Sequence, residues 1–204
     1  MKEKPVFKAN MNNCNQLTTW WEEALHGNVK SFGRIHDELY SGLYFYLYKI
    51  IKDEDAAQDV LQELFIKMWE RRITFGPIKN VKYYFFKSAR SLAINFLKAA
   101  RPEFVGLSAS HDIDIVFSRE DVLVLEETGR EVEHMLALAL NTLPKRQKEM
   151  IFLRYFDNWN YDQIAEVTGL QYQSVVNHVH RGINQLRIKL SEGSKIATTE
   201  LVLS

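Results

Sequence analysis

Apolar residues recur along this chain at three- and four-residue spacing, and strand-like alternation is hard to find. The first 17 residues are polar and irregular, with Asn10, Asn12, Asn13 and Asn15 crowded together, and read as an N-terminal arm. The pattern then predicts a helix over about 18–25. A second opens near Asn28 and carries Phe32, Ile35, Leu39, Leu43, Leu47 and Ile50 on one face. A third opens at Asp53 or Glu54, with Ala56, Val60, Leu64 and Met68 on one stripe and Leu61, Phe65 and Trp69 beside it. Gly76-Pro77 ends the stretch that follows, and a fourth helix is predicted over about 81–99, before Pro102.

Residues 102–130 mix Pro, Gly, Ser, His and many acids, and read as a linker. Helical spacing resumes over about 128–141, with Val132, Met135, Leu136 and Leu140. Pro144 suits the first turn of a helix reaching about Phe156. Asn160 with Gln163 three residues on is a capping pair for another helix, which Gly169 is suited to end. A last helix is predicted over about 173–190. The expected fold is all-α: two helical domains, 18–101 and 131–191, joined by an acidic linker over 102–130, with a tail over 192–204.

The segment from Asn160 to Arg181 is a short helix, a tight turn and a longer helix, which is helix-turn-helix geometry. Ile164, Ala165, Leu170, Val175 and Val179 have the spacing to seal the angle between the two helices. Gln173, Ser174, Asn177, His178 and Arg181 then fall on another side. Amides, hydroxyls and guanidinium groups reach base edges and phosphates in a major groove. An ordinary helical hairpin with a polar outer face is the bland alternative. The string Gln163-Ile164-Ala165, Gly169-Leu170, Ser174-Val175 is narrower than a generic hairpin.

With Leu143-Pro144 upstream, Leu153-Arg154-Tyr155-Phe156, and Ile183-Asn184-Gln185-Leu186-Arg187 downstream, the C-terminal part resembles region four of a bacterial sigma factor. The resemblance implies that this region reads the minus-thirty-five promoter element through Gln173, Ser174, Asn177, His178 and Arg181. Gln171 stands where Ser or Thr is frequent before the recognition helix, and Gly182 where Ala is more usual.

Upstream, Asp55 to Trp69 resembles sigma region two, in which an Asp-x-x-Gln-Glu-x-Phe core is widespread. The resemblance implies a docking face for core RNA polymerase made by Asp59, Gln62, Glu63, Phe65 and Lys67. Asp59 and Glu63 can pair with Arg on a partner, and Gln62 can hydrogen-bond either way. For a lone Asp-Glu pair a solvated charged face over a core stripe would be the better reading, and region four downstream favours docking.

In Lys82-Tyr83-Tyr84-Phe85-Phe86-Lys87-Ser88-Ala89-Arg90-Ser91-Leu92-Ala93-Ile94-Asn95-Phe96-Leu97-Lys98, rings interleave with cations. Such a mixture suits single-stranded DNA, since rings stack on bases and cations follow phosphates. By resemblance this is the part that captures the melted minus-ten strand, with a base held outside the stack. Lys82, Lys87, Arg90 and Lys98 would contact phosphates, Tyr83 or Tyr84 would stack on bases, and Asn95 would face the DNA. Family members usually have Arg-Asn where this chain has Arg90-Ser91. Phe85, Phe86, Leu92 and Phe96 are expected in the core instead.

Charge sharpens this picture. The 26 basic and 26 acidic residues cancel, which would argue against binding phosphates if they were evenly spread. They are not: residues 71–101 hold 8 basic residues and no acid, while 102–134 hold 9 acids and 2 basic residues. Either the acidic stretch threads the polymerase, or it folds back on the basic block in the free protein. One cysteine, Cys14, excludes a disulfide framework within the chain. No apolar run reaches the length of a membrane span, and no signal core follows Met1, so a cytoplasmic location without membrane insertion is expected. His178 and His180 lie two apart on a helix and cannot chelate one metal. No phosphate loop or catalytic constellation is seen, so neither enzyme activity nor a cofactor is expected.

Two domains and a short linker resemble the extracytoplasmic-function sigma factors, and Tyr172 to Asn177 resembles members from the Bacteroidetes. The resemblance implies core polymerase, promoter DNA and an anti-sigma protein as partners, the last membrane-bound in many of that group. A stand-alone helix-turn-helix regulator binding a duplex operator is the second reading, and it leaves the Asp59–Phe65 motif unexplained. A helical enzyme or scaffold with accidental motifs is the third.

Overall fold

The computed structural model describes residues 11–100, 113–122 and 130–202, which form two compact units divided near Asp112. All regular elements among the described residues are helical. The first unit holds α1 (Met11–Leu25), α2 (Val29–Ile51), α3 (Glu54–Glu70), the short α4 (Arg72–Phe75) and α5 (Val81–Ala100). α2, α3 and α5 pack on one another, and α1 packs on α2 and α5.

The punctuation follows the sequence closely. The Asn28 side chain accepts from the backbone N–H groups of Lys30 and Ser31, at 3.1 and 3.2 Å, and starts α2. Asp53 accepts from the Ala56 N–H at 2.8 Å and starts α3, whose first turn adds Glu54 and Asp55 near the positive end of the helix dipole. Lys52 between them sits at a φ of 66° and closes α2 through its N–H to Tyr48 O. The core is aromatic-rich. Trp21 meets Phe85 edge-on at 6.1 Å and donates its indole N–H to Gly76 O, which ties α1 to the turn before α5. Tyr46 packs on Phe86.

α1 starts seven residues before the predicted Thr18. Leu17, Trp21 and Ala24 are buried one turn apart, and this anchored face carries the polar residues upstream into the same helix. The expected arm is therefore helical from Met11, and residues 1–10 lie outside the described residues. Phe85 and Phe86 are core residues as expected, and Leu92 is half-buried. Phe96 is 36% exposed, because α5 runs past Ile94, its last buried position.

The second unit holds α6 (Arg119–Val122), α7 (Arg130–Asn141), α8 (Lys145–Ile151) with a π-helical turn over Phe152–Phe156, α9 (Tyr161–Thr168) and α10 (Tyr172–Val202). The capping pair is present in both directions: Gln163 N donates to Asn160 Oδ1 at 2.9 Å and Asn160 N to Gln163 Oε1 at 2.7 Å. Gly169, at a φ of 72°, makes the turn into α10, where an L side chain would be strained. Ile164, Val175 and Val179 are buried as predicted, whereas Ala165 and Leu170 are only half-buried. α10 packs on α7 and α8, and a Cβ at Gly182 would meet Ile151 Cδ1 at 2.6 Å. Gly182 thus marks the close approach of α10 to α8. The expected tail from residue 192 is a continuation of α10 to Val202, since no proline interrupts it.

The largest departure concerns the linker. Residues 113–122 are not a spacer but part of the second unit. Ile113, Ile115 and Phe117 are buried, while Asp114 and Val116 between them are not, in the alternation of an extended segment. The Phe117 ring lies 5.1 Å from that of Phe156 and 6.4 Å from that of Phe152. The Asn141 side chain holds the Phe117 backbone from both sides, accepting from its N–H at 2.9 Å and donating to its carbonyl at 2.8 Å. Asp114 pairs with the buried Lys148, and Arg119 with the buried Glu133. Asp121 caps α6, accepting from Ser118 N and Oγ. Asp114, Asp121 and Glu133 therefore serve contacts inside the second unit, which leaves fewer acids for the basic block. Composition read as linker what tertiary packing makes into a strap.

Candidate functional site

The Asp55–Trp69 motif lies on α3 and shares a groove with α2. The groove measures about 370 Å³ and is lined by His36 and Tyr40 of α2 with Gln58, Asp59, Gln62, Phe65 and Ile66 of α3. Asp59 and Gln62 are exposed along it, and so is Ile66, an apolar side chain at 50% exposure. The groove offers a carboxylate, two amides and an apolar edge to a partner.

Three further motif residues, Phe65, Glu63 and Lys67, have partners within the unit. Phe65 is 7% exposed, with its ring against Phe32, His36 and Phe85, so it supports the groove from the core side. Glu63 and Lys67 pair with each other one turn apart on the exposed side. Sequence reasoning missed the α2 wall. His36, Tyr40, Tyr44 and Tyr48 follow one another every four residues, with successive ring centroids 5.1, 6.4 and 6.4 Å apart. The repeat lies directly beside the leucine stripe of α2 along the chain. Burial, and then the nearby Glu54 carboxylate, raise the Tyr44 phenol above its usual pKa.

α5 separates its rings and cations into two faces. Tyr83 and Arg90 are both 8% exposed and belong to the buried side. Lys87, Ser91, Asn95 and Lys98 are exposed, and their spacing puts them on one stripe. Tyr84 borders that stripe, half-buried against Phe75 at 5.4 Å. Burial raises the pKa of its phenol. Lys82 is half-buried with Nζ 5.9 Å from the Phe86 ring. Ser91 donates to Lys87 O at 3.0 Å. The basic block is further thinned by Arg72, which stacks on Trp69 at 4.0 Å and donates to Ala24 O and Trp69 O.

On α10 the predicted recognition residues fall together. Gln173, Asn177 and Arg181 are exposed at four-residue spacing, with Ser174 and His178 half-exposed beside them. Gln173 Nε2 donates to Asn177 Oδ1 at 3.2 Å, which aligns two amides along the helix. The Gln171 carbonyl accepts from Ser174 N and Val175 N, so the backbone opens the helix where a Ser or Thr cap is usual. Sequence reasoning missed a ring cluster at this end: Tyr172 meets Tyr161 edge-on at 6.1 Å, and Arg154 lies 5.3 Å from the Tyr161 ring.

Comparison with known proteins agrees with this layout. Residues 35–103 match the family described as Sigma-70 region 2, and residues 133–186 match Sigma-70, region 4, together more than half of the chain. The ECF RNA polymerase sigma factor SigX of Bacillus subtilis (strain 168) is 24% identical over 160 residues, covering 78% of this chain and 82% of that protein. RNA polymerase sigma factor SigV of the same organism is 26% identical over 152 residues, covering 73% and 84%. Among solved structures, CnrH in complex with the cytosolic domain of CnrY has a TM-score of 0.60 at 19% identity, covering 87% of this chain and 98% of that one. The sigma factor RpoE in complex with the anti-sigma factor NepR from Bartonella quintana has a TM-score of 0.58 at 20% identity, covering 80% and 98%. The chain belongs to the sigma-70 family, as an RNA polymerase sigma factor of the ECF group. The match to region two accounts for the α3 motif that a stand-alone regulator leaves unexplained. Among the described residues no helix is long and apolar enough to cross a membrane.

Proposed function

We propose that the groove between α2 and α3 docks core RNA polymerase, with Asp59, Gln62 and Glu63 as its polar contacts and Phe65 as its support. Lys67 tunes Glu63 from one turn away. The exposed stripe of α5 takes the melted minus-ten strand. Lys87 and Lys98 follow phosphates, Asn95 and Ser91 face the bases, and Tyr84 stacks at the border, with Lys82 at the edge of the reach. Arg90 and Tyr83 hold this helix in the core. On α10, Gln173, Ser174, Asn177, His178 and Arg181 read minus-thirty-five DNA in the major groove. The observation that carries the reading is the outward stripe of α5, where two lysines, an amide and a hydroxyl share one face beside a tyrosine. Bond making stays with the polymerase, and the protein acts in the cytoplasm. An anti-sigma protein is a further proposed partner, since CnrH and RpoE are each seen with a protein of that kind or with a cytosolic domain.

Run-off transcription with purified core polymerase on genomic promoters tests the whole reading. Promoter-specific transcripts are expected only when this chain is added, and their absence from every promoter removes it.

Two residue-level outcomes are expected within that assay. Tyr84→Ala should slow open-complex formation about tenfold, in line with roughly 1–3 kcal/mol per stacked base. Tyr83→Ala should instead cost about 2–4 kcal/mol of fold stability through the lost core ring. Equal effects of the two on melting kinetics at matched stability would reverse the assignment of the faces. Arg181→Ala should weaken minus-thirty-five duplex binding by about 1–3 kcal/mol. Polymerase affinity, measured by titration without DNA, should stay unchanged.

A further inference from the structure

We infer that Tyr172 is a specificity-determining residue of this protein, packing its ring against the 5-methyl group of a thymine in the minus-thirty-five element. The inference rests on the reading of α10 as the helix that enters the minus-thirty-five major groove, and it adds an apolar contact to that reading. Tyr172 is the first residue of α10 and directly precedes Gln173. Recognition helices bring their N-terminal residues against base edges. Side chains on a helix lean toward its N-terminus, so a ring at the first position reaches ahead of the helix start. This ring is 49% exposed. The other exposed large apolar side chain among the described residues of α10 is Ile188, roughly four turns further along. Gln173, Ser174, Asn177 and Arg181 offer amide, hydroxyl and guanidinium groups to hydrogen-bonding base edges, while Tyr172 offers apolar surface. The apolar group that a base pair presents in the major groove is the methyl of thymine.

A single exposed ring is ordinary on a protein surface, but this one is mounted. Arg154 donates from Nη1 to Trp159 O at 3.0 Å, which fixes its guanidinium 5.3 Å from the Tyr161 ring. Tyr161 is the first residue of α9, whose start is locked by the Asn160–Gln163 pair. Its ring meets that of Tyr172 at 6.1 Å and an interplanar angle of 87°. Both rings thus stand on helix starts, and each is braced by a neighbour. A tyrosine has only two side-chain torsions to fix, so a ring already held in place loses little entropy when a methyl group packs on it. The contact uses the ring and not the phenol hydroxyl, which sets it apart from a hydrogen bond to a phosphate.

The full chain assembled with core polymerase is titrated with duplexes of a promoter that it transcribes in the run-off assay. Each thymine of the minus-thirty-five element, on either strand, is replaced in turn by uracil, which keeps the base pair and its hydrogen-bonding edge and removes only the methyl group. At one position uracil is expected to weaken binding about fourfold, the weight of one buried carbon. Tyr172→Ala should bind the thymine duplex more weakly and be indifferent to uracil at that position. Tyr172→Phe should keep the fourfold difference. Indifference of the unmodified protein to every uracil, a difference that persists in Tyr172→Ala, or one that is lost in Tyr172→Phe overturns the inference. Arg181→Ala in the same titration separates the two levels. If it weakens binding while no uracil matters, the inference alone falls. If neither Arg181→Ala nor scrambling the minus-thirty-five element changes binding, the reading of α10 falls and the inference with it.

Discussion

Reversing the charge of Asp59 together with Glu63, as Asp59→Lys with Glu63→Lys, is expected to lower affinity for core polymerase at least about hundredfold, or about 2.7 kcal/mol. The magnitude follows from position. Asp59 lines the groove and Glu63 lies one turn along the same helix, both exposed. A partner that offers cations to this face loses two attractions and meets two repulsions. The fold should hardly respond. Neither side chain is buried, and the pair lost between Glu63 and Lys67 is of a surface kind worth about 0.3–0.5 kcal/mol. Titration of labelled protein with core polymerase, beside thermal unfolding, reads both quantities. Undiminished binding by a folded double variant would move the docking face elsewhere.

Phe117→Ala is expected to destabilise the second unit by about 3–5 kcal/mol, a loss typical of a large ring removed from a packed core. A residue in a solvated linker would change stability by less than about 0.5 kcal/mol. The ring is 2% exposed and packs against both Phe152 and Phe156, and its backbone is held by Asn141. Hydrogen exchange of α7 and α8 amides in the full chain reports this unit separately from the first, where exchange should not change. Slow exchange retained throughout α7 and α8 would return residues 113–122 to the role of a spacer.

Much of the layout was legible because it rests on local chemistry. Asn28, Asp53 and the Asn160–Gln163 pair cap helices through contacts within four residues, so the helix starts could be read directly. The exposed polar face of α10 was legible for the same reason, since four-residue spacing alone puts Gln173, Asn177 and Arg181 on one side. The burial of Phe65 and Arg90 was not legible, because residue type says what a side chain can contact and not which neighbour reaches it first. Phe65 is claimed by Phe32, His36 and Phe85 before any partner arrives.

By itself the sequence determined an all-helical chain, its two motif-bearing units and the residue types of each binding face, because periodicity, caps and motif spacing act over a few residues. Only the tertiary structure decided which half of the α5 aromatic and basic run faces outward, that α2 supplies a wall of the α3 groove, and that residues 113–122 belong to the second unit. Each of these depends on partners distant in sequence. Phe117 meets Asn141 24 positions on, and Asp114 meets Lys148 34 positions on. Burial against such a partner can convert a polar, acid-rich stretch into structure, and no local pattern announces it.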